Sequence, residues 1–287
     1  MSHSPSALKT TVLTSCTLIA FAANSLLTRM ALGPGSIDAA SFMTLRLVSG
    51  AVMLLVIMTF FQGTPMATLQ NTQGKWAGAL MLFLYAVTFS FSYLQLAAGT
   101  GALILFGSVQ VTMILVALKQ GEKPRMLEWG GLFLALLGLI YLVSPGLAAP
   151  PIVGSGLMMM AGIAWGFYSL LGRGAKEPVA YTTANFVRAV PFAIGVSLVS
   201  LSKMHLTLTG VMLALLSGAL ASGVGYAIWY AALKGLTATR AATVQLAVPV
   251  IASVGGILFL QEALTIRLAL ASLMILGGIG LSVAGHR

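Results

Sequence analysis

The chain has 287 residues, of which 59% are hydrophobic and only 7% charged, and it carries a formal net charge of +10. Soluble domains hold about a quarter charged residues, so composition alone excludes a water-soluble fold. The positive balance does not point to nucleic acid, because the basic residues stand singly between apolar runs and build no basic face.

A helix needs about 20 apolar residues to cross the hydrocarbon. Spans are predicted at 10–32, 38–60, 76–96, 101–120, 127–144, 152–172, 179–201, 210–233, 238–261 and 266–284. The apolar runs are continuous and lack period-two alternation, which excludes a β-barrel. Span 1 follows Lys9 and contains Ala20-Phe21-Ala22, an imitation of a signal peptide with its small-residue cleavage site. A later partner of this segment makes it a retained span. It holds the single cysteine, Cys16, so no intramolecular disulfide forms, and it holds Asn24. Span 2 carries Arg46. The uncharged run Trp76 to Leu118 is broken at Ala97-Ala98-Gly99-Thr100-Gly101 into spans 3 and 4. In span 3, Tyr85, Thr88, Ser92 and Gln95 share one helical face; span 4 places Gln110 mid-helix. The uncharged run Trp129 to Gly172 is broken at Ser144-Pro145-Gly146 and Pro150-Pro151 into spans 5 and 6, and Trp165 and Tyr168 share a face of span 6. Span 7 contains Arg188 and Pro191. Span 8 aligns Ser222, Gly225, Trp229 and Ala232, and span 9 contains Gln245 and Pro249. Spans 5 and 10 are apolar nearly all round, with Gly138, Gly277, Gly278 and Gly280 for packing, and read as scaffold or dimer surface. The expected state is a monomer or weak homodimer.

The chain repeats itself. Asn24-Ser25-Leu26-Leu27-Thr28-Arg29 in span 1 pairs with Tyr168-Ser169-Leu170-Leu171-Gly172-Arg173 in span 6, and Arg46 pairs with Arg188. Span 3 ends Tyr93-Leu94-Gln95-Leu96-Ala97 and span 8 ends Tyr230-Ala231-Ala232-Leu233-Lys234; spans 4 and 9 end Gln120-Gly121-Glu122 and Leu260-Gln261-Glu262. The expected fold is all-α, ten transmembrane helices in two five-helix repeats, 1–149 and 150–287. Five is odd, so the second repeat enters the membrane inverted, as in many transporters. With the N-terminus inside, the cytoplasmic segments hold Lys9, Lys75, Lys119, Lys123, Arg125, Arg173, Lys176, Lys234, Arg240 and Arg287, and the outer ones only Arg29, Lys203 and Arg267. The positive-inside rule then places both termini in the cytoplasm of an inner-membrane protein.

These halves, each with an arginine early in its second helix and a Gly-Glu or Gln-Glu after its fourth, resemble the EamA repeats of the drug/metabolite transporter superfamily. Asn24, Arg46, Gly121-Glu122, Trp165, Arg188, Pro249 and Glu262 carry the resemblance, which covers nearly the whole chain. It implies an exporter of amino acids and related metabolites, most similar to the aromatic amino-acid exporters of the YddG type. The outward direction rests on the resemblance alone.

No constellation supports catalysis. There is no His-Glu-x-x-His helix, His3, His205 and His286 lie at loops or ends, and Asp38, Glu122, Glu128, Glu177 and Glu262 all sit at span ends. No catalytic residue, metal site or cofactor is expected. The partners are a small-molecule substrate and the lipid bilayer. Polar groups inside spans are the informative ones, because lipid cannot satisfy them. Asn24, Tyr85, Ser92, Gln110, Trp165, Tyr168, Trp229 and Gln245 read as the lining of a central solute cavity, against the alternative of interhelical hydrogen bonding and packing. Arg46 and Arg188 are a substrate-carboxylate clamp, a gate latch, or structural charges that snorkel or cap a broken helix, and their place in both repeats favours the structural role. Pro191 and Pro249 are candidate hinges or sites of static curvature. Small drug/proton antiporters of the superfamily carry a glutamate in the first helix where this chain has Asn24, and an amide does not exchange a proton near neutral pH. A neutral or zwitterionic solute moved by alternating access is therefore expected. A multidrug or cationic-compound exporter of the same fold, and a non-transporting membrane scaffold, are the alternatives.

Overall fold

The computed structural model describes residues 7–63, 76–119, 125–146, 149–172, 175, 177–233, 244–245 and 247–285. Among them the chain forms ten helical spans. These are α1 (Ala7–Leu32), α2 (Ala39–Val56, prolonged by a π-helical turn Ile57–Phe61), α3 (Trp76–Ser92), α4 (Ala98–Lys119) and α5 (Met126–Val143). The second half supplies α6 (Ile152–Gly172), α7 (Pro178–Val199), α8 (Leu208–Leu216, a π-helical Ser217–Val224, then Gly225–Leu233), α9 (Ala247–Leu260) and α10 (Ile266–Gly285). Among the described residues the one pairing of extended backbone is the bridge Ile37–Leu206. Six segments, Leu8–Leu32, Ala39–Phe61, Ala98–Val116, Ile152–Gly172, Pro178–Val199 and Leu208–Ala232, are long and apolar enough to cross a bilayer, and the other four helices hold the shorter apolar stretches Trp76–Ser92, Trp129–Val143, Ala247–Leu260 and Ile266–Leu281. The molecule is an all-α membrane protein.

The helix ends follow local chemistry. Asp38 starts α2 by accepting from the Ser41 amide at 2.9 Å, and Thr207 starts α8 by accepting from the Gly210 amide at 3.1 Å, both N-caps that satisfy an orphan donor. α4 begins at Ala98, three residues before the predicted start, because a carboxylate from the far end of the chain caps it. α3 stops at Ser92, and Tyr93 to Gln95 form a turn where continued helix is predicted. Residues 238–243, the predicted start of span 9, and Gly121-Glu122 lie outside the described residues.

Helix packing has a regular plan. α1 packs on α8 and α9, α6 on α3 and α4, and α2 and α3 both meet α7. Exchanging each helix for the one five places on turns α1–α8 into α6–α3 and α2–α8 into α7–α3. It leaves α2–α7, α4–α9 and α5–α10 as they are. Glycines permit the closest approaches. A Cβ on Gly218 of α8 would collide with the Arg46 carbonyl oxygen and the Ser49 hydroxyl of α2. Apolar side chains such as Phe61, Phe133, Leu258, Phe259 and Leu273 point outward, as a hydrocarbon solvent allows.

Candidate functional site

The π-helical segment of α8 brings two hydroxyls to face α1 and α2. A π turn inserts an extra residue and redirects side chains, and such turns gather at functional sites. Ser217 donates to Asn24 Oδ1 at 2.7 Å. Asn24 Nδ2 donates to the Tyr85 hydroxyl at 3.3 Å, and Arg46 Nη2 donates to the same hydroxyl at 3.0 Å. Arg46 Nε donates to Ser222 Oγ at 3.3 Å. Helices α1, α2, α3 and α8 are thus tied by one polar network in the middle of the bundle. Arg46 is only 2% exposed. Its guanidinium lies 5.2 Å from the Tyr85 ring centroid and 4.9 Å from that of Phe89, within cation–π range. Its Nη1 has no hydrogen-bond partner among the described residues.

Beside this network lies a small cavity of about 20 Å³, lined by Phe21, Asn24, Ser25, Tyr85, Phe89, Leu105, Phe106, Trp165, Ala221 and Tyr226. That is room for about one water molecule, so a solute is admitted only when the helices move apart. The lining comes from α1, α3, α4, α6 and α8. Its aromatic wall is continuous: the Trp165 ring sits 4.9 Å from Tyr85 and 5.2 Å from Tyr226, and Tyr226 meets Phe21 edge-on at 5.7 Å. Apolar rings with a few convergent polar groups are the usual composition of a ligand site.

One end of the bundle, where α1 joins α2, α3 joins α4 and α9 joins α10, is fastened by a second polar cluster. Both Glu262 oxygens accept from the Ala98 amide at 2.9 Å, and Arg29 Nε approaches the same carboxylate at 3.5 Å. Arg29 Nη1 donates to the Tyr93 carbonyl at 3.0 Å. A carboxylate on the exposed amides of a helix start is favoured by charge and by orphan donors alike. Farther along this end, the His205 amide donates to Asp38 at 3.1 Å and Arg267 to the Ser144 carbonyl at 2.7 Å.

Asn24, Tyr85 and Trp165, singled out from the sequence, meet at the cavity. Tyr168 packs behind Trp165 at 5.4 Å and is buried, and neither its hydroxyl nor the Asn185 amide has a hydrogen-bond partner among the described residues. Trp229 meets Phe21 edge-on at 6.0 Å and does not line the cavity. Ser92 donates to the Phe89 carbonyl at 2.9 Å and touches Met158 at the α3–α6 contact. Thr88 likewise bonds back to its own helix, at Leu84. Gln110 is buried in α4 one turn beyond Phe106, and Gln245 is half-buried ahead of α9; neither lines the cavity. Arg188 is half-buried, unlike Arg46. Pro191 sits inside α7 and faces outward, while Pro249 is the third residue of α9 and is buried. Phe21, Phe106, Tyr226, Ser217 and the pair Arg29–Glu262 were not expected from sequence. A hint existed in Arg29 and Glu262 closing spans that start from the same side.

Residues 152–284, from α6 to α10, match the model of the EamA-like transporter family. The chain belongs to this family, within the drug/metabolite transporter superfamily. It is 50% identical over 278 residues to an uncharacterised protein of Pseudomonas aeruginosa, covering 96% of this chain and 95% of that one. It is 25% identical to proteins named probable amino-acid metabolite efflux pump in Salmonella typhimurium (205 residues; 66% of this chain, 69% of the relative) and Escherichia coli K12 (234 residues; 72% and 77%). A crystal structure 17% identical in sequence superposes with a TM-score of 0.66 over 95% of this chain and 99% of that one, a likeness of fold. This EamA-type protein is a multi-pass membrane transporter of a small-molecule substrate and not an enzyme.

Proposed function

We propose that this EamA-type transporter exports neutral amino acids or related metabolites across the inner membrane by alternating access, with both termini in the cytoplasm. The observation that carries the reading is the cavity shared by α1, α3, α4, α6 and α8. A carrier must hold its solute between two halves that rock about the site. The recurrence of the main helix contacts on exchange of helices five places apart supports two related halves, 1–149 and 150–287, the second inverted. Aromatic rings offer area to an apolar side chain and π-faces to an ammonium group, while Asn24 and Tyr85 hold polar ends. The Arg29–Glu262–Ala98 cluster closes the outer end and breaks when the cavity opens there. Among the described residues no carboxylate lines the cavity, which favours a zwitterion over a cationic drug.

The test is transport by purified protein in liposomes, with neutral amino acids of graded size, a lipophilic cation, and a proton gradient present or absent. Saturable movement of the neutral amino acids, faster for bulky apolar ones, is expected. Movement of the cation alone would replace this reading with the multidrug one, and no movement of any solute would leave a scaffold.

A further inference from the structure

We infer that the Tyr85 hydroxyl proton, on the cavity wall, and Arg46 Nη1, buried behind that wall, form a carboxylate subsite when the cavity opens to a solute, so that a substrate is recognised by its anionic group. The inference rests on the amino-acid reading above and names the group that reading leaves open. Arg46 is a permanent charge, 2% exposed, with no ion pair among the described residues. The described carboxylate of Glu262 is held at the end of the bundle by Ala98 and Arg29, and that of Asp38 by Ser41 and His205. The faces of Tyr85 and Phe89 ease the charge but do not neutralise it. A buried guanidinium without a counter-ion is costly in a membrane, and a cost of this kind is recovered when an anion arrives.

The direction of the hydrogen bonds says where the anion sits. Tyr85 accepts from both Asn24 and Arg46, which leaves its own proton uncommitted, on a residue that lines the cavity. Arg46 spends Nε on Ser222 and Nη2 on Tyr85, and Nη1 is left over. Two donors on adjoining groups, one charged, match the two oxygens of a carboxylate. Asn24, oriented by Ser217, keeps Tyr85 in the accepting role. A bound chloride would use the same donors, so the test separates the two sources of negative charge.

The test measures binding to the purified full-length protein by calorimetry, in chloride and in methanesulfonate buffer. The probes are phenylalanine, 3-phenylpropionate, phenylalaninamide and phenethylamine, which share a ring and differ in carboxylate and amine. The two carboxylates are expected to bind about ten- to a hundredfold more tightly than the amide and the amine, the worth of hydrogen bonds to a charged group. Arg46→Lys should reduce the carboxylates to the level of the amide, because an ammonium lacks the fork. Tyr85→Phe should weaken carboxylates several-fold and leave the amine unchanged. If Arg46→Lys does not fold, the wild-type panel and Tyr85→Phe still decide. Equal binding of all four probes overturns the subsite and leaves the amino-acid reading standing. Carboxylate preference that survives both variants also overturns the assignment. Chloride dependence without carboxylate preference makes the site an inorganic-anion site and overturns it too. Binding of none overturns the subsite and the amino-acid reading together.

Discussion

Replacing Glu262 by glutamine probes the closed end of the transporter. The carboxylate holds the Ala98 amide through both oxygens at 2.9 Å and stands 3.5 Å from Arg29 Nε, with side-chain exposures of 27% for Arg29 and 15% for Glu262. Glutamine keeps one acceptor and the shape but removes the charge. Turning a charge-assisted hydrogen bond into a neutral one loses about 1 kcal/mol. The carboxylate's interaction with the start of α4 adds roughly 0.3–1 kcal/mol, and the partly exposed ion pair about 0.2–1 kcal/mol. A total near 1.5–3 kcal/mol shifts the balance toward opening by roughly 10–160-fold. The assay places cysteine at Ala221, a cavity residue, in a Cys16→Ser background, and follows labelling by a membrane-impermeant maleimide added outside. Glu262→Gln should accelerate labelling by that factor at unchanged folding. An unchanged rate in correctly folded protein would show that this cluster does not gate the cavity.

Other expectations follow from the same geometry. Gly218→Ala would press a methyl group into the Arg46 carbonyl and Ser49, and should lower stability by about 1–3 kcal/mol, read as a lower Tm in detergent; an unchanged Tm would mean the α2–α8 contact yields freely. Trp165→Ala should reduce transport of bulky amino acids more than small ones, since Trp165 lines the cavity, whereas Trp229→Ala should reduce both alike, since Trp229 does not line it. Matched losses in both variants would remove Trp165 from the path. Cysteine at Lys203 should label from outside intact cells, and cysteine at Arg125 only after permeabilisation; the reverse would invert the proposed topology.

The fold was largely legible because a bilayer punishes every charge and every unbonded amide, so spans and breaks are written in composition. The predicted spans match the helices to within a few residues wherever the chain is described. The departures have contacts behind them: α4 starts early because Glu262, far away in sequence, caps Ala98. The same reasoning singled out Asn24, Arg46 and Tyr85, which meet in one network, but also Ser92, Gln110 and Gln245, which do not line the cavity. The apolar part of the site was not legible. In a soluble helix Phe21 and Phe61 would be sorted by amphipathic period, but here inside and outside are equally apolar, and the two differ only in being 8% and 81% exposed. Nor does Ser-Gly-Ala-Leu-Ala-Ser-Gly-Val announce a π-helix, although that turn is what brings Ser217 and Ser222 to Asn24 and Arg46. Arg46 and Arg188 look equivalent in sequence, yet the first is buried in a network and the second half-exposed.

The central claim, that a solute occupies a cavity reached from one side at a time, is tested most directly by counterflow. Liposomes preloaded with unlabelled phenylalanine and diluted into a trace of labelled phenylalanine should show a transient accumulation of label above equilibrium, reduced in Trp165→Ala liposomes of equal protein content. Simple equilibration of label without overshoot, at a rate indifferent to preloading, would contradict alternating access.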